Sequence, residues 1–140
     1  MGVLTDMTPA QATALWSGLM IVLLVVLGIR VGLARRSGRV LLGDGGNASV
    51  LLASRVFGNA AEYVPAAIGA LAVLTLLGMP AYVLHGLGGV LFLGRLIHAA
   101  TLSTTAVTLG RMVSMTLTWL PLLAAGAMLI VHAFVGAPHG

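Results

Sequence analysis

The chain has 140 residues, of which 59% are hydrophobic and 7% are charged. A soluble domain of this length needs a charged surface that seven arginines, three acidic residues and no lysine do not provide, so the composition predicts an integral membrane protein. The net charge of +4 comes from scattered arginines without a basic tract or aromatic stacking platform, which argues against a nucleic-acid partner. The chain has no cysteine, so any thiol must come from a substrate.

Four apolar segments, each close to the ~20 residues that cross a hydrocarbon core, predict four transmembrane helices. Thr8 is placed to cap the first helix and Pro9 to open it, because proline lacks the N–H that is unsatisfied there. Asn47 or Ser49 is placed to cap the second helix, and Pro80 to open the third. We therefore expect an all-α, integral membrane four-helix bundle in a single domain, with helices at about 9–34, 49–78, 80–102 and 111–135.

The distribution of arginines predicts the orientation of the chain in the membrane. The first loop and the third loop have arginines in or beside them, whereas the second loop and both termini have none. Because cytoplasmic loops hold the Lys/Arg excess, both termini are expected to face away from the cytoplasm. Two interpretations of the arginine cluster in the first loop stay open. Its topogenic role together with anionic lipid accounts for it, or one of its arginines folds over a binding site and stabilises an anion. A short polar connection is expected at 103–110 and a frayed tail at 136–140.

Three polar residues interrupt the second apolar segment: Arg55, Asn59 and Glu62. Their spacing of i, i+4 and i+7 puts them within ~60° of one another on one helix face. An isolated charge at mid-bilayer costs ~2.5–3.5 kcal/mol, so such side chains face a protein interior or a wet cavity. The third helix offers Arg95 and His98 as partners at a matching depth. Two guanidinium groups beside one carboxylate leave a positive surplus, which favours an anionic ligand.

A structural interpretation of the same residues stays open, because buried arginine, glutamate and asparagine contacts also hold transmembrane helices in register. A lone His98 is more often a helix–helix hydrogen-bonding group than a ligand, and no second His or Cys at metal spacing accompanies it, so no metal site is predicted. Tyr63 lies beside the polar stripe, where its phenol could reach a ligand or a neighbouring subunit, or be satisfied by a backbone carbonyl.

The stretch "RVFGNAAEYVP", residues 55–65, resembles the second-helix signature of the MAPEG family, the membrane-associated proteins of eicosanoid and glutathione metabolism. Three further segments are similar to other parts of that family. "ARRSGRV" resembles the arginine-rich end of its first helix, "GRLIHAATLS" its third helix, and "GRMVSMTLTWL" the start of its fourth helix in bacterial members. The resemblance covers most of the chain and indicates a bacterial-type member.

This resemblance implies a homotrimer of the bacterial inner membrane that binds glutathione between neighbouring subunits, near the cytoplasmic side. In such a site Glu62 accepts from the amino group of glutathione, while Arg55 and Arg95 meet its carboxylates or orient Glu62. The residues to which the resemblance assigns glutathione binding are Arg55, Asn59, Glu62, Tyr63, Arg95 and His98.

The resemblance also implies which residues act on the thiol. Arg36 matches the arginine that activates the glutathione thiol in the family, and Arg111 is a rival for that role. An arginine beside a thiol favours the thiolate, which is the nucleophile. The chain departs from eukaryotic members at His98 and Leu102, where those members have two tyrosines one turn apart.

The implied function is a membrane-bound, glutathione-dependent transferase or peroxidase that acts on an apolar electrophile. The alternative is a non-catalytic member, either a lipid- or partner-binding scaffold or an accessory subunit of a larger membrane complex. An ion or proton pathway through Glu62 is less well supported, because the membrane segments contain one acidic residue and no relay to either side.

Overall fold

The structure is a computed structural model that describes residues 6–102 and 108–135. Within these ranges it has no strand and four α-helices: α1 Pro9–Gly38, α2 Ala48–Leu76, α3 Ala81–Thr101 and α4 Leu109–Val135. Each helix is long and apolar enough to cross a membrane, which confirms the predicted all-α class with four spanning helices. The predicted tail at 136–140 and residues 103–107 of the predicted polar connection lie outside the described residues.

Side-chain caps fix where the first two helices begin. Thr8 Oγ1 accepts from the Gln11 N–H at 3.2 Å, and Gln11 Oε1 accepts from the Thr8 N–H at 2.9 Å, with Pro9 as the first helical residue. The predicted cap and opening residue of α1 are therefore confirmed. At α2 the cap is Asn47 rather than Ser49, since Asn47 Oδ1 accepts from the N–H groups two and three residues on, at 3.0 and 3.2 Å.

The last residue of α1 and the first residue of α4 differ from the predicted bounds. α1 continues past residue 34 to Gly38, because arginine is a good helix former, and it ends where Arg39 adopts a left-handed φ of 53°. α4 begins at Leu109, ahead of the predicted start at Arg111. Its first turn is capped by the Thr108 hydroxyl, which accepts from the Arg111 N–H at 3.2 Å.

A tight turn joins α2 to α3. α2 ends at Leu76, and Gly78 adopts a φ of 79°, a conformation that a side chain would strain. Pro80 is the N-cap of α3, so the helix begins one residue after the predicted opening. This turn makes α2 and α3 antiparallel neighbours.

The four helices pack as a bundle in which α1 contacts α2 and α3, while α4 contacts α3 and α2. α3 and α4 approach closely at Gly94, where an added Cβ would lie 2.9 Å from Leu117 Cβ and 3.1 Å from the Ser114 carbonyl oxygen. Small residues permit such close backbone approach in membranes. The largest buried apolar cluster draws on all four helices, and its fully buried members are Ala12, Met20, Val64, Leu74 and Leu84.

The seven arginines gather towards one end of the bundle, where α1 and α3 end and α2 and α4 begin. We name this the arginine end, and its members are Arg30, Arg35, Arg36, Arg39, Arg55, Arg95 and Arg111. The opposite end has uncharged side-chain contacts between helices, with Trp16 Nε1 donating to His85 Nδ1 at 3.0 Å. The orientation of the arginine end in the membrane stays a prediction.

Candidate functional site

A cavity of about 630 Å³ opens between α2, α3 and α4 at the arginine end. Most of its polar lining belongs to side chains that the sequence pattern singles out. These are Arg55, Asn59 and Glu62 from α2, His98 from α3 and Arg111 from α4. The i, i+4, i+7 stripe of α2 therefore forms one wall of a cavity, and the second and third walls each add one basic or potentially basic side chain.

The charged groups of this cavity are accessible to a ligand. Arg55, Glu62 and Arg111 are exposed, Asn59 is half-buried, and His98 is buried with 3% of its surface accessible. Two guanidinium groups and one carboxylate thus share the space, which leaves a net positive charge in the cavity. This charge pattern is complementary to an anion that also carries a positive group.

Arg95 lies behind this cavity rather than in its lining, and 1% of its surface is accessible. Its guanidinium donates to Asn59 Oδ1 at 2.5 Å and to the Thr118 hydroxyl, and it lies 5.4 Å from the centre of the Tyr63 ring. The buried guanidinium therefore links α2, α3 and α4. Its hydrogen bonds support the structural interpretation of Arg95, in which a buried polar group holds membrane helices together.

The contact with Arg95 also fixes the orientation of Asn59. A guanidinium has only donors, so the amide oxygen of Asn59 must face it. The amide NH₂ group then points away from Arg95. Because Asn59 also lines the cavity, it offers neutral N–H donors to a ligand there.

Tyr63 contacts α4 instead of the cavity. Its hydroxyl accepts from Trp119 Nε1 at 3.1 Å, and its ring face lies against the Arg95 guanidinium. Among the described residues, the phenol makes no hydrogen bond to a backbone carbonyl, and Tyr63 does not line the cavity. Its hydroxyl proton has no acceptor among the described residues, so it can still donate to a group from outside the chain.

Thr118 is a residue that sequence reasoning missed. It is fully buried, accepts from Arg95 and donates to the Ser114 carbonyl oxygen at 2.8 Å. In the sequence, Thr118 could be recognised only by its position within the apolar run of α4, at a depth where a buried arginine on a neighbouring helix needs an acceptor. Threonine is common in transmembrane helices with only local hydrogen bonds, so this signal is weak alone.

The two candidate thiol-activating arginines occupy different places. Arg111 lines the cavity, whereas Arg36 is exposed near the end of α1, a helix that contributes nothing to the lining of this cavity within its own chain. Leu102 also lines the cavity, one turn after His98. The described residues contain no group of three His, Cys, Asp or Glu side chains that could hold a metal ion.

The sequence of the chain is similar to a family of known membrane proteins. The model of the MAPEG family matches residues 13–131, which include most of all four helices. The chain is 36% identical over 88 residues to the inner membrane protein YecN of Escherichia coli strain K12, covering 63% of this chain and 67% of YecN. YecN of Escherichia coli O6:H1 matches to the same extent.

No solved structure matches the chain, so the fold rests on the helices described above. Four helices able to cross a membrane, together with a relative from the bacterial inner membrane, make this a multi-pass protein of that membrane. A family match across residues 13–131 and a relative of 36% identity establish that the chain belongs to the MAPEG family.

Proposed function

We propose that the protein binds glutathione in the cavity at the arginine end and delivers its thiolate to an apolar electrophile dissolved in the membrane. The activity would be glutathione transfer or peroxide reduction. The observation that carries the proposal is the charge pattern of the cavity, in which Arg55 and Arg111 accompany Glu62. Membership of a glutathione-associated family supports the same ligand.

Glutathione has the complementary charges. At neutral pH it has two carboxylates, one ammonium group and a thiol, so its net charge is negative. Arg55 and the NH₂ group of Asn59 suit its carboxylates, while Glu62 suits its ammonium group. Hydrogen bonds between charged partners are about twice as strong as those between neutral groups, so this match favours glutathione over an uncharged ligand.

Arg111 is the residue of the cavity that we assign to the thiol. A free thiol has a pKa of about 8.5, and a neighbouring guanidinium lowers that pKa by favouring the thiolate. The thiolate sulfur then forms a bond to the electrophile, and the leaving group departs with the electron pair. Leu51, Leu52 and Leu102 are the large apolar side chains of the lining, and they suit an apolar substrate that enters from the lipid.

The proposal includes a homotrimer, with glutathione between neighbouring subunits. Arg36 supports this arrangement, since it is exposed at the arginine end yet lies outside the cavity of its own chain. A neighbouring copy could bring its α1 to the open side of the cavity, where Arg36 would assist Arg111. Native mass spectrometry of the protein in mild detergent would then give three subunits.

A test of catalysis is the ultraviolet absorbance of the thiolate on mixing purified protein with glutathione, followed by conjugation of a chlorinated nitrobenzene. We expect a thiolate band and conjugation with the native chain, and loss of both in Arg111→Gln. Arg30→Gln is the matched control, because Arg30 is an exposed arginine of the same end that does not line the cavity. Absence of both signals in the native chain would refute the catalytic proposal.

One observation favours a second candidate function, a non-catalytic scaffold or accessory subunit. Leu102 and His98 line the cavity at positions where eukaryotic family members have tyrosines, so the donors near the thiol differ. Such a protein would still bind glutathione or lipid but would not form the thiolate. Isolation in mild detergent distinguishes the two, since a stoichiometric partner together with an inactive purified trimer favours the accessory role.

A further inference from the structure

The connection between α1 and α2, residues 39–47, which we name the α1–α2 loop, has a defined shape. The Val40 N–H donates to the Arg35 carbonyl oxygen at 3.0 Å, and Arg35 Nη1 donates to the Leu41 carbonyl oxygen at 3.4 Å. At the other side, the Asn47 N–H donates to the Asp44 carbonyl oxygen at 2.9 Å. The two bonds with Arg35 hold the start of the loop against the end of α1, and the third closes a turn within the loop.

The loop presents two leucines outward. Leu41 and Leu42 are 93% and 89% exposed, the highest values among the exposed large apolar side chains of the described residues. Their neighbour Val40 is half-buried, and it packs so close to Gly45 that a Cβ there would lie 3.1 Å from Val40 Cγ2. The loop thus buries one apolar side chain and leaves the next two with no cover from the chain, which water would disfavour.

Helix lengths give the position of this loop relative to the end of α3. α1 and α3 run in the same direction, and Trp16 of α1 contacts His85 of α3 near the amino-terminal ends of the two helices. From that contact α1 continues to Gly38 and α3 to Thr101. At 1.5 Å per residue, α1 therefore extends about 9 Å beyond the end of α3. The headgroup region is about 5–8 Å thick on each side of the hydrocarbon core. With α3 ending at the edge of that core, an end of α1 about 9 Å further out lies at about the headgroup level.

The charges around the two leucines complement an anionic headgroup. Arg35 and Arg39 both precede them closely in the chain, and Arg39 is exposed. The one acidic residue nearby is Asp44, whose carboxylate accepts from the Gly46 N–H at 3.0 Å, so three arginines at 35, 36 and 39 stand against one carboxylate. Exposed leucines beside a surplus of arginines match a phospholipid, which joins acyl chains to a phosphate.

We propose that the α1–α2 loop binds an anionic phospholipid, with Leu41 and Leu42 in the boundary of the acyl chains and Arg35 and Arg39 on the headgroup phosphate. This site is separate from the cavity, none of whose lining residues belongs to the loop. The lipid contact holds the long end of α1 at a fixed depth. It therefore stands or falls independently of glutathione binding.

The absence of cysteine from the chain allows a direct test by single-cysteine labelling. Leu42→Cys is labelled with an environment-sensitive fluorophore and reconstituted in vesicles of phosphatidylcholine and phosphatidylglycerol. Ser37→Cys is the control, because Ser37 is exposed in the last turns of α1 without belonging to the loop. A nitroxide near the top of the acyl chains should quench the probe at 42 more strongly than that at 37, and aqueous iodide should do the reverse.

Lipid selectivity is tested by native mass spectrometry of the same vesicles. We expect Arg39→Gln to retain about fivefold less phosphatidylglycerol than the native chain, the effect of one basic residue at an anionic surface. Arg30→Gln, which loses the same charge, should retain as much phosphatidylglycerol as the native chain. Three results would each overturn the proposal. The first is iodide quenching at 42 equal to that at 37, and the second is protection of 42 from both quenchers, which would indicate a protein partner. The third is an equal loss of phosphatidylglycerol in both arginine variants.

Discussion

At the scale of single residues, the arginine end divides into side chains that face a ligand and one that faces the bundle. Arg55, Glu62 and Arg111 are exposed in the cavity, whereas Arg95 is buried and donates to Asn59 on α2 and Thr118 on α4. The helical period was enough to predict the stripe of α2. It could not predict the role of Arg95, because its second acceptor lies on α4, and a helix's own sequence does not specify its neighbours.

Glu62 is the residue whose loss should affect ligand binding most selectively. Glu62→Gln removes the carboxylate that suits the ammonium group of glutathione, and we expect binding to weaken at least about tenfold, as for other hydrogen bonds to charged groups. Isothermal titration of the variant in detergent measures the change. Asp44→Asn is the control, an acidic residue outside the cavity that should bind as the native chain does. Equal affinities for Glu62→Gln and the native chain would contradict this role.

Arg95 should contribute to stability. Arg95→Met leaves Asn59 and the buried Thr118 without their donor, and an unsatisfied buried polar group costs ~1–3 kcal/mol. Because water in the cavity can reach the half-buried Asn59, we expect a loss of ~1–3 kcal/mol in the free energy of unfolding. Thermal unfolding in detergent, followed by tryptophan fluorescence, measures this. Arg30→Met, at an exposed arginine, should change the midpoint little. A variant at Arg95 as stable as this control would show that the network is not structural.

At the scale of helices, hydropathy and caps predicted that four helices exist and where α1 and α2 begin. The carboxyl end of α1 was predicted too early, because the polar arginines lower the hydropathy while still favouring a helix. The close approach of α3 and α4 at Gly94 was also beyond prediction. A glycine in an apolar helix is compatible with many packing arrangements until the neighbouring helix is known.

The α3–α4 contact gives a prediction of its own. Gly94→Ala would place a methyl group 2.9 Å from Leu117 Cβ and 3.1 Å from a backbone carbonyl oxygen, so the helices must separate. We expect a loss of ~1–3 kcal/mol, typical of overpacking. Gly86→Ala on the same helix is the matched control, since no atom lies within 4 Å of its added Cβ and alanine favours the helix. The thermal midpoint should fall for Gly94→Ala only; equal midpoints would mean that the two helices do not pack tightly there.

At the scale of the whole molecule, a bundle of four membrane-crossing helices presents polar groups from three of them to one cavity. Composition alone predicted the membrane class, and the family resemblance is confirmed by the match over residues 13–131. Arg36 lies outside the cavity of its own chain, and its relation to a neighbouring cavity would depend on the proposed homotrimer. That assembly is part of the proposed function.

The central claim is that the cavity recognises glutathione through opposite charges, and comparing two ligands tests it most directly. Isothermal titration of the native protein in mild detergent would measure the Kd of glutathione and of its N-acetylated form, which lacks the ammonium group. We predict that glutathione binds and that acetylation weakens binding at least about tenfold, because Glu62 then lacks its partner. No binding of glutathione, or equal affinity for the two ligands, would contradict the account.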